Sequence, residues 1–231
     1  MVTQVFSLQY PDEALDCIRA GIDHIGLLLG DEMCPAALSF EQAKAVFDAV
    51  GHLVVKVAIL MHKEEHEVLD IAGRLRPDIV HLCNTVRATP EFSQKLRSLV
   101  PGIKIMQAVA VTGEESIAEA KQYEGYADFL MLDSVAVGVN DVGATLNGIG
   151  AAGVTHDWNI SKRIVEEVNI PVFLAGGLGP ANVHEAVQKV RPYGVDSLTK
   201  TTIVENGVYL RKDIEKVRCF VENARRAARD V

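Results

Sequence analysis

No stretch of this 231-residue sequence is apolar for long enough to span a bilayer, although 48% of it is hydrophobic. Positive charge is also scarce. The formal net charge is −8 at pH 7, and the basic cluster that stands out, Arg225, Arg226 and Arg229, reads as a solvated helix end. Neither a nucleic acid nor a membrane surface is therefore an expected partner. The four cysteines, Cys17, Cys34, Cys83 and Cys219, form no CxxC and no Cys/His metal spacing. That points to free thiols in a reducing compartment. No signal-peptide pattern opens the chain, so the cytoplasm is the expected location. His62, His81 and His156 are scattered without ligand pairing, and no metal is expected. The spaced dinucleotide fingerprint is missing, and no cofactor is expected. No linker or low-complexity segment divides residues 1–231, which read as one domain.

What the chain does contain is alternation. Strand-like runs fall at Val2–Leu8, His24–Leu29, Leu53–Leu60, Ile79–Leu82, Lys104–Val111, Phe129–Asp133, Val172–Ala175 and Val195–Leu198. Helical patterns follow them at Pro11–Ala20, Ser39–Val50, Lys63–Leu75, Pro90–Val100, Glu114–Tyr123, Trp158–Val168, Pro180–Val190 and about Lys212–Ala228. Ser39 with Gln42 three residues on makes a capping box. Eight units in 231 residues average about 29 residues each, the period of a (β/α)8 TIM barrel. An open doubly wound sheet shares the local pattern, but eight units with no remainder favour the barrel. Ser134 to Asp157, rich in Gly, Ala and Asn, reads as a long loop with the freedom to close over a ligand.

The most informative stretch is Val172 to Val183. Four apolar residues lead into Gly176-Gly177, and Pro180 opens a helical pattern. Paired glycines let backbone amides face a ligand, and a helix start favours an anion, so this reads as a phosphate-binding turn. It follows the seventh strand, where such barrels commonly hold phosphate. The eighth strand runs into Asp196-Ser197-Leu198-Thr199-Lys200, which offers Asp196, Ser197, Thr199 and Lys200 to the same ligand. The sixth ends in Asp133, a carboxylate costly to bury unless used, and hence a candidate acid. Cys83 is a candidate base, because strands four and six contribute to the same interior layers, although a free cysteine is more commonly a buried apolar thiol. His81 and Gln107 are interior candidates, each alternatively part of a core hydrogen-bond network.

These residues resemble the phosphoribosylanthranilate isomerase family. The likeness is specific in Gly153-Val154-Thr155-His156-Asp157-Trp158, in Leu174 to Leu178 with Pro180 and Asn182-Val183, and in Val190 to Asp196. Weaker echoes, as in Pro11-Asp12-Glu13-Ala14, extend it over nearly the whole chain. The resemblance implies a (β/α)8 barrel of phosphate-binding type and an Amadori rearrangement of an aminoaldose to an aminoketose. An acid opens the ribose ring and a base removes the C2 proton. It implies Asp133 as acid, Gly176, Gly177, Gly153 and Thr155 around phosphate, and Asp196 as the strand-eight aspartate.

The departures are equally specific. Phe6 stands where the family's base cysteine belongs, with Ser7 beside it as a substitute only if the strand slips by one residue. Ala36 stands at the anthranilate-binding arginine, Cys83-Asn84-Thr85-Val86 replaces His-Gly-Asp-Glu, and Leu198-Thr199-Lys200 replaces Ser-Ser-Gly. Three readings follow. The main one is an aldose–ketose isomerase acting on a phosphorylated small molecule by proton transfer, with Asp133 as acid. The second is the family's own reaction in tryptophan biosynthesis with an altered base. The third is a non-catalytic phosphosugar-binding barrel. The oligomeric state is left open, a homodimer being one option.

Overall fold

The computed structural model describes residues 1–30, 34, 36–83, 85–139, 145–150, 153–205 and 208–230. Its elements run β1 (Val2–Phe6), α1 (Pro11–Arg19), β2 (His24–Leu29), β3 (Ala37–Leu38), α2 (Phe40–Val50), β4 (Val55–Leu60) and α3 (Glu65–Leu75). They continue with β5 (Ile79–Leu82), α4 (Pro90–Leu99), β6 (Lys104–Ala110), α5 (Glu115–Gln122), β7 (Phe129–Asp133), β8 (Val135–Val139) and β9 (Thr145–Ile149). The last are α6 (Trp158–Glu167), β10 (Val172–Leu174), α7 (Val183–Val190), β11 (Gly194–Ser197), β12 (Thr202–Glu205), β13 (Val208–Lys212) and α8 (Ile214–Ala227).

Eight strands (β1, β2, β4, β5, β6, β7, β10 and β11) pair in parallel in that order, and β1 closes onto both β2 and β11. The sheet is therefore a closed barrel with helices between its strands, a (β/α)8 TIM barrel. Each strand reads as an apolar run because both of its faces are covered. One face packs on the helices, through Val5, Leu27, Leu60, Val80, Ile105, Leu132, Leu174 and Val195. The other fills the barrel, through Phe6, Leu28, Val57, Ile59, Ile79, Met106, Met131, Phe173 and Ala175. The Ser39 capping box is formed: Gln42 N–H donates to Ser39 Oγ at 3.2 Å, and Ser39 N–H to Gln42 Oε1 at 2.9 Å.

Three segments differ from the sequence reading. The loop expected over Ser134–Asp157 carries an antiparallel hairpin, β8 with β9, pairing Val135 with Ile149 and Val139 with Thr145. The interleaved glycines obscure the alternation by which a strand is read in the sequence. The chain between the eighth barrel strand and the last helix holds a short 3₁₀ turn (Thr199–Thr201) and a second hairpin, β12 with β13. Helix α7 begins at Val183 rather than Pro180, because Asn182 folds the preceding turn. Its amide accepts from Gly179 N–H at 2.9 Å and donates to the Gly177 carbonyl at 3.1 Å. Among the described residues, no helix is long and apolar enough to cross a membrane.

Candidate active site

The site lies where the barrel strands end. Met131 fills the barrel interior, and the period of two brings Asp133, at the end of β7, to the same face. Ser134 N–H donates to Asp133 Oδ1 at 2.7 Å. Gly150 packs so closely that a Cβ there would lie 3.0 Å from Asp133 Oδ2. Burial raises the Asp133 carboxyl to about 7, against the weaker opposing effect of the Ser134 N–H. Asp196, on β11, is also interior. Gln4 Nε2 donates to its Oδ1 at 3.4 Å, and His24 Nδ1 lies 3.2 Å from Gln4 Oε1. Burial, followed by the charge of Asp133, raises Asp196 to about 8. The two carboxyls lie within each other's field and disfavour double ionisation.

The Gly176-Gly177 turn stands beside them. Both glycines have positive φ, 81° and 61°. A Cβ on Gly176 would lie 2.7 Å from Ser134 Oγ and 2.8 Å from His156 Nδ1. One on Gly177 would lie 2.9 Å from the Gly153 carbonyl oxygen. The turn thus needs glycine twice over, for its backbone angles and for the approach of the segment carrying Gly153 and Thr155. His156 ties that segment down. Its Nε2 lies 2.8 Å from Ser161 Oγ and its Nδ1 3.3 Å from Ser134 Oγ, while Ser134 Oγ donates to the Val154 carbonyl at 2.7 Å. The turn after β11 is laced to the same place. Ser197 Oγ donates to the Leu178 carbonyl at 2.7 Å, and the Lys200 side chain lies against Gly179. Gly153, Thr155, Gly176, Gly177, Ser197, Thr199 and Lys200 therefore converge, with Thr155 and Lys200 exposed.

Other candidates are placed differently. Gln107 lies on the helix-facing side of β6, since Met106 is interior. Its amide accepts from Ala88 N–H at 2.8 Å and donates to the Leu82 carbonyl at 3.1 Å, pinning the segment before α4. It is a structural staple outside the site. The strand does not slip at Ser7: the register pairs Phe6 with Gly26, and the Phe6 ring enters the barrel over that glycine. Ser7 has φ 64°, its Oγ is buried with no hydrogen-bond partner, and so no base to activate it, among the described residues, and its carbonyl accepts from the Tyr209 hydroxyl. Cys83 reaches the mouth with its Sγ 3.2 Å from Met61 Sδ. His81 is buried under the Phe6 ring, centroids 5.3 Å apart, with neither ring nitrogen hydrogen-bonded among the described residues. Burial lowers its pKa to about 3. The sequence reading missed Lys212, because a lone lysine before a helix cap ordinarily reads as solvated. It is 1% exposed and sits under the turn after β11.

The family model described as N-(5'-phosphoribosyl)anthranilate isomerase matches residues 8–223. The chain belongs to this isomerase family. It is similar to N-(5'-phosphoribosyl)anthranilate isomerase 2 of Methanosarcina mazei, 42% identical over 97% of this chain and 94% of that one. It is also similar to the N-(5'-phosphoribosyl)anthranilate isomerase of Methanocella arvoryzae, 34% identical over 93% of each. The crystal structure of phosphoribosyl anthranilate isomerase from Thermotoga maritima superposes with a TM-score of 0.78 at 22% identity, over 97% of this chain and 99% of that one. At that identity the superposition speaks for the fold alone.

Proposed function

We propose that this chain catalyses the family's own reaction, the rearrangement of N-(5'-phosphoribosyl)anthranilate to its aminoketose in tryptophan biosynthesis. The observation that carries this reading is Asp133. It is a carboxyl raised to about 7 at the end of the sixth barrel strand, beside the Gly176-Gly177 turn. A carboxyl poised there holds a proton near neutrality and delivers it to the ring oxygen. The phosphate rests on the amides of the Gly176-Gly177 and Thr199 turns.

The C2 proton needs a second group, and Phe6 does not supply one. Asp196 does. With Asp133 it forms a coupled pair that shares its protons near neutrality. Asp196, raised to about 8, holds a proton more firmly than Asp133 at about 7, and the protonation state with Asp133 protonated and Asp196 ionised is the one that has acid and base in place. Cys83 then borders the substrate without taking the proton. Single-turnover fluorescence with N-(5'-phosphoribosyl)anthranilate tests this. The wild type turns over, D133N and D196N each lose about 10² to 10⁴ in rate, and C83A stays within about threefold. No turnover by the folded wild type overturns the reading. A second reading, aldose–ketose isomerisation of another phosphosugar on the same barrel, is favoured by Ala36, which offers the anthranilate carboxylate no cation.

A further inference from the structure

Lys212 ends β13, outside the barrel interior, yet it is 1% exposed. A buried ammonium is expensive unless its donors are met and its charge is balanced. The donors are met: Nζ donates to the Leu198 carbonyl at 2.8 Å, to Thr202 Oγ1 at 3.0 Å and to Thr201 Oγ1 at 3.3 Å. All three acceptors are neutral, and all belong to the turn after the eighth barrel strand or to the first residue of β12 that follows it. The neighbouring carboxylates are engaged elsewhere. Asp12 pairs with Arg211 and Asp213 with Lys216. Glu13, buried on α1, accepts from the backbone N–H groups of Gln9, Tyr10 and Lys212. Glu13, Cys17 and Asp196 influence the ammonium through space, and burial outweighs them.

The bond to Leu198 has a geometric consequence. In a trans peptide the carbonyl and the following N–H point in opposite directions. A Leu198 carbonyl drawn toward Lys212 turns the Thr199 N–H away from it. We propose that Lys212 is a positioning residue of the phosphate site, whose ammonium, with the Thr202 hydroxyl that also donates to the Leu198 carbonyl at 2.7 Å, holds the Leu198–Thr199 peptide with its N–H toward a phosphomonoester and sets a positive charge behind the turn. The inference rests on the reading of the Gly176-Gly177 and Thr199 turns as a phosphate site. It is independent of the reaction performed there. It also accounts for the hairpin β12–β13, which carries Lys212 back beneath a turn lacking the family's Ser-Ser-Gly.

Calorimetric titration with inorganic phosphate tests this without turnover. K212M is expected to raise the dissociation constant about tenfold, and K212R to stay within about threefold of the wild type. K200M, which removes an exposed and screened charge, should have the smaller effect. A folded K212M that binds phosphate like the wild type overturns the proposal. Should K212M fail to fold, the wild type and K212R suffice between pH 7.5 and 9.5, where phosphate stays largely dianionic. Burial lowers Lys212 to about 8. Wild-type affinity should fall several-fold further across that interval than that of K212R, Asp196 losing its proton in both, and matching profiles overturn the proposal. Phosphate binding without turnover sinks the isomerase reading alone. No phosphate binding by the wild type sinks the site and this inference with it.

Discussion

Phe6 and Gly26 are a single fitted pair. A Cβ built on Gly26 would overlap the Phe6 ring, so the ring fills the barrel only because strand β2 carries no side chain there. Removing the ring should open a cavity and cost about 3 to 5 kcal/mol in F6A. G26A should cost about 1 to 3 kcal/mol through overpacking. The double variant F6A/G26A should cost less than the sum, because the new methyl enters the space that the ring vacated. Urea unfolding of the three variants measures the coupling, and strict additivity would show that the two side-chain positions do not share space. Phe6 at the base position was legible in the sequence, whereas its partner was not. The two lie twenty residues apart and meet only through the β1–β2 register.

At the scale of elements, the eight strands were legible because a strand buried on both faces leaves an uninterrupted apolar run. The two hairpins were not. In β8–β9 glycines interrupt the alternation, and β12–β13 is short and follows a turn of hydroxyl residues. The second hairpin is fastened at both ends, by the Tyr209 hydroxyl on the Ser7 carbonyl and by Lys212 under Leu198. Y209F should therefore cost about 1 kcal/mol of stability, read by denaturant unfolding. The Gly176-Gly177 turn was legible as a turn, but the reason for two glycines was not. Ser134 and His156 stand where a Gly176 side chain would go, and neither is near it in sequence. G176A should weaken phosphate binding by about tenfold or more and cost about 1 to 3 kcal/mol, from the positive φ together with the clash. Unchanged phosphate affinity in a folded G176A would separate the turn from the ligand.

For the whole molecule, the buried titratable groups set opposing pH trends. Asp133 and Asp196 are raised to about 7 and 8 from 3.8, so the folded chain holds protons that the unfolded chain releases. Their contribution to stability is full below about pH 4 and is lost as the pH rises toward 7 and 8. His24, His81 and His156 are lowered by burial to about 4, 3 and 4 from 6.5. Their contribution is present above about pH 6.5 and is lost as the pH falls toward 4. Stability should therefore peak between about pH 6 and 7, and D133N/D196N should lose the decline on the alkaline side while keeping the acid one. Urea midpoints at pH 5, 6.5 and 8 read the difference, and an unchanged alkaline limb in the double variant would remove the two carboxyls from this role. None of these trends was legible in the sequence, which names titratable residues without saying which of them the barrel desolvates. Asp133 alone was marked out, by standing at the end of an apolar strand.

The fit between Phe6 and Gly26 also limits which single exchanges the barrel accepts. A cysteine at position 6 would leave a void above Gly26, and widening Gly26 alone would collide with the ring. Either exchange on its own costs stability. The pair thus works as an interlock: each residue keeps the other in place, and the two positions change cheaply only together.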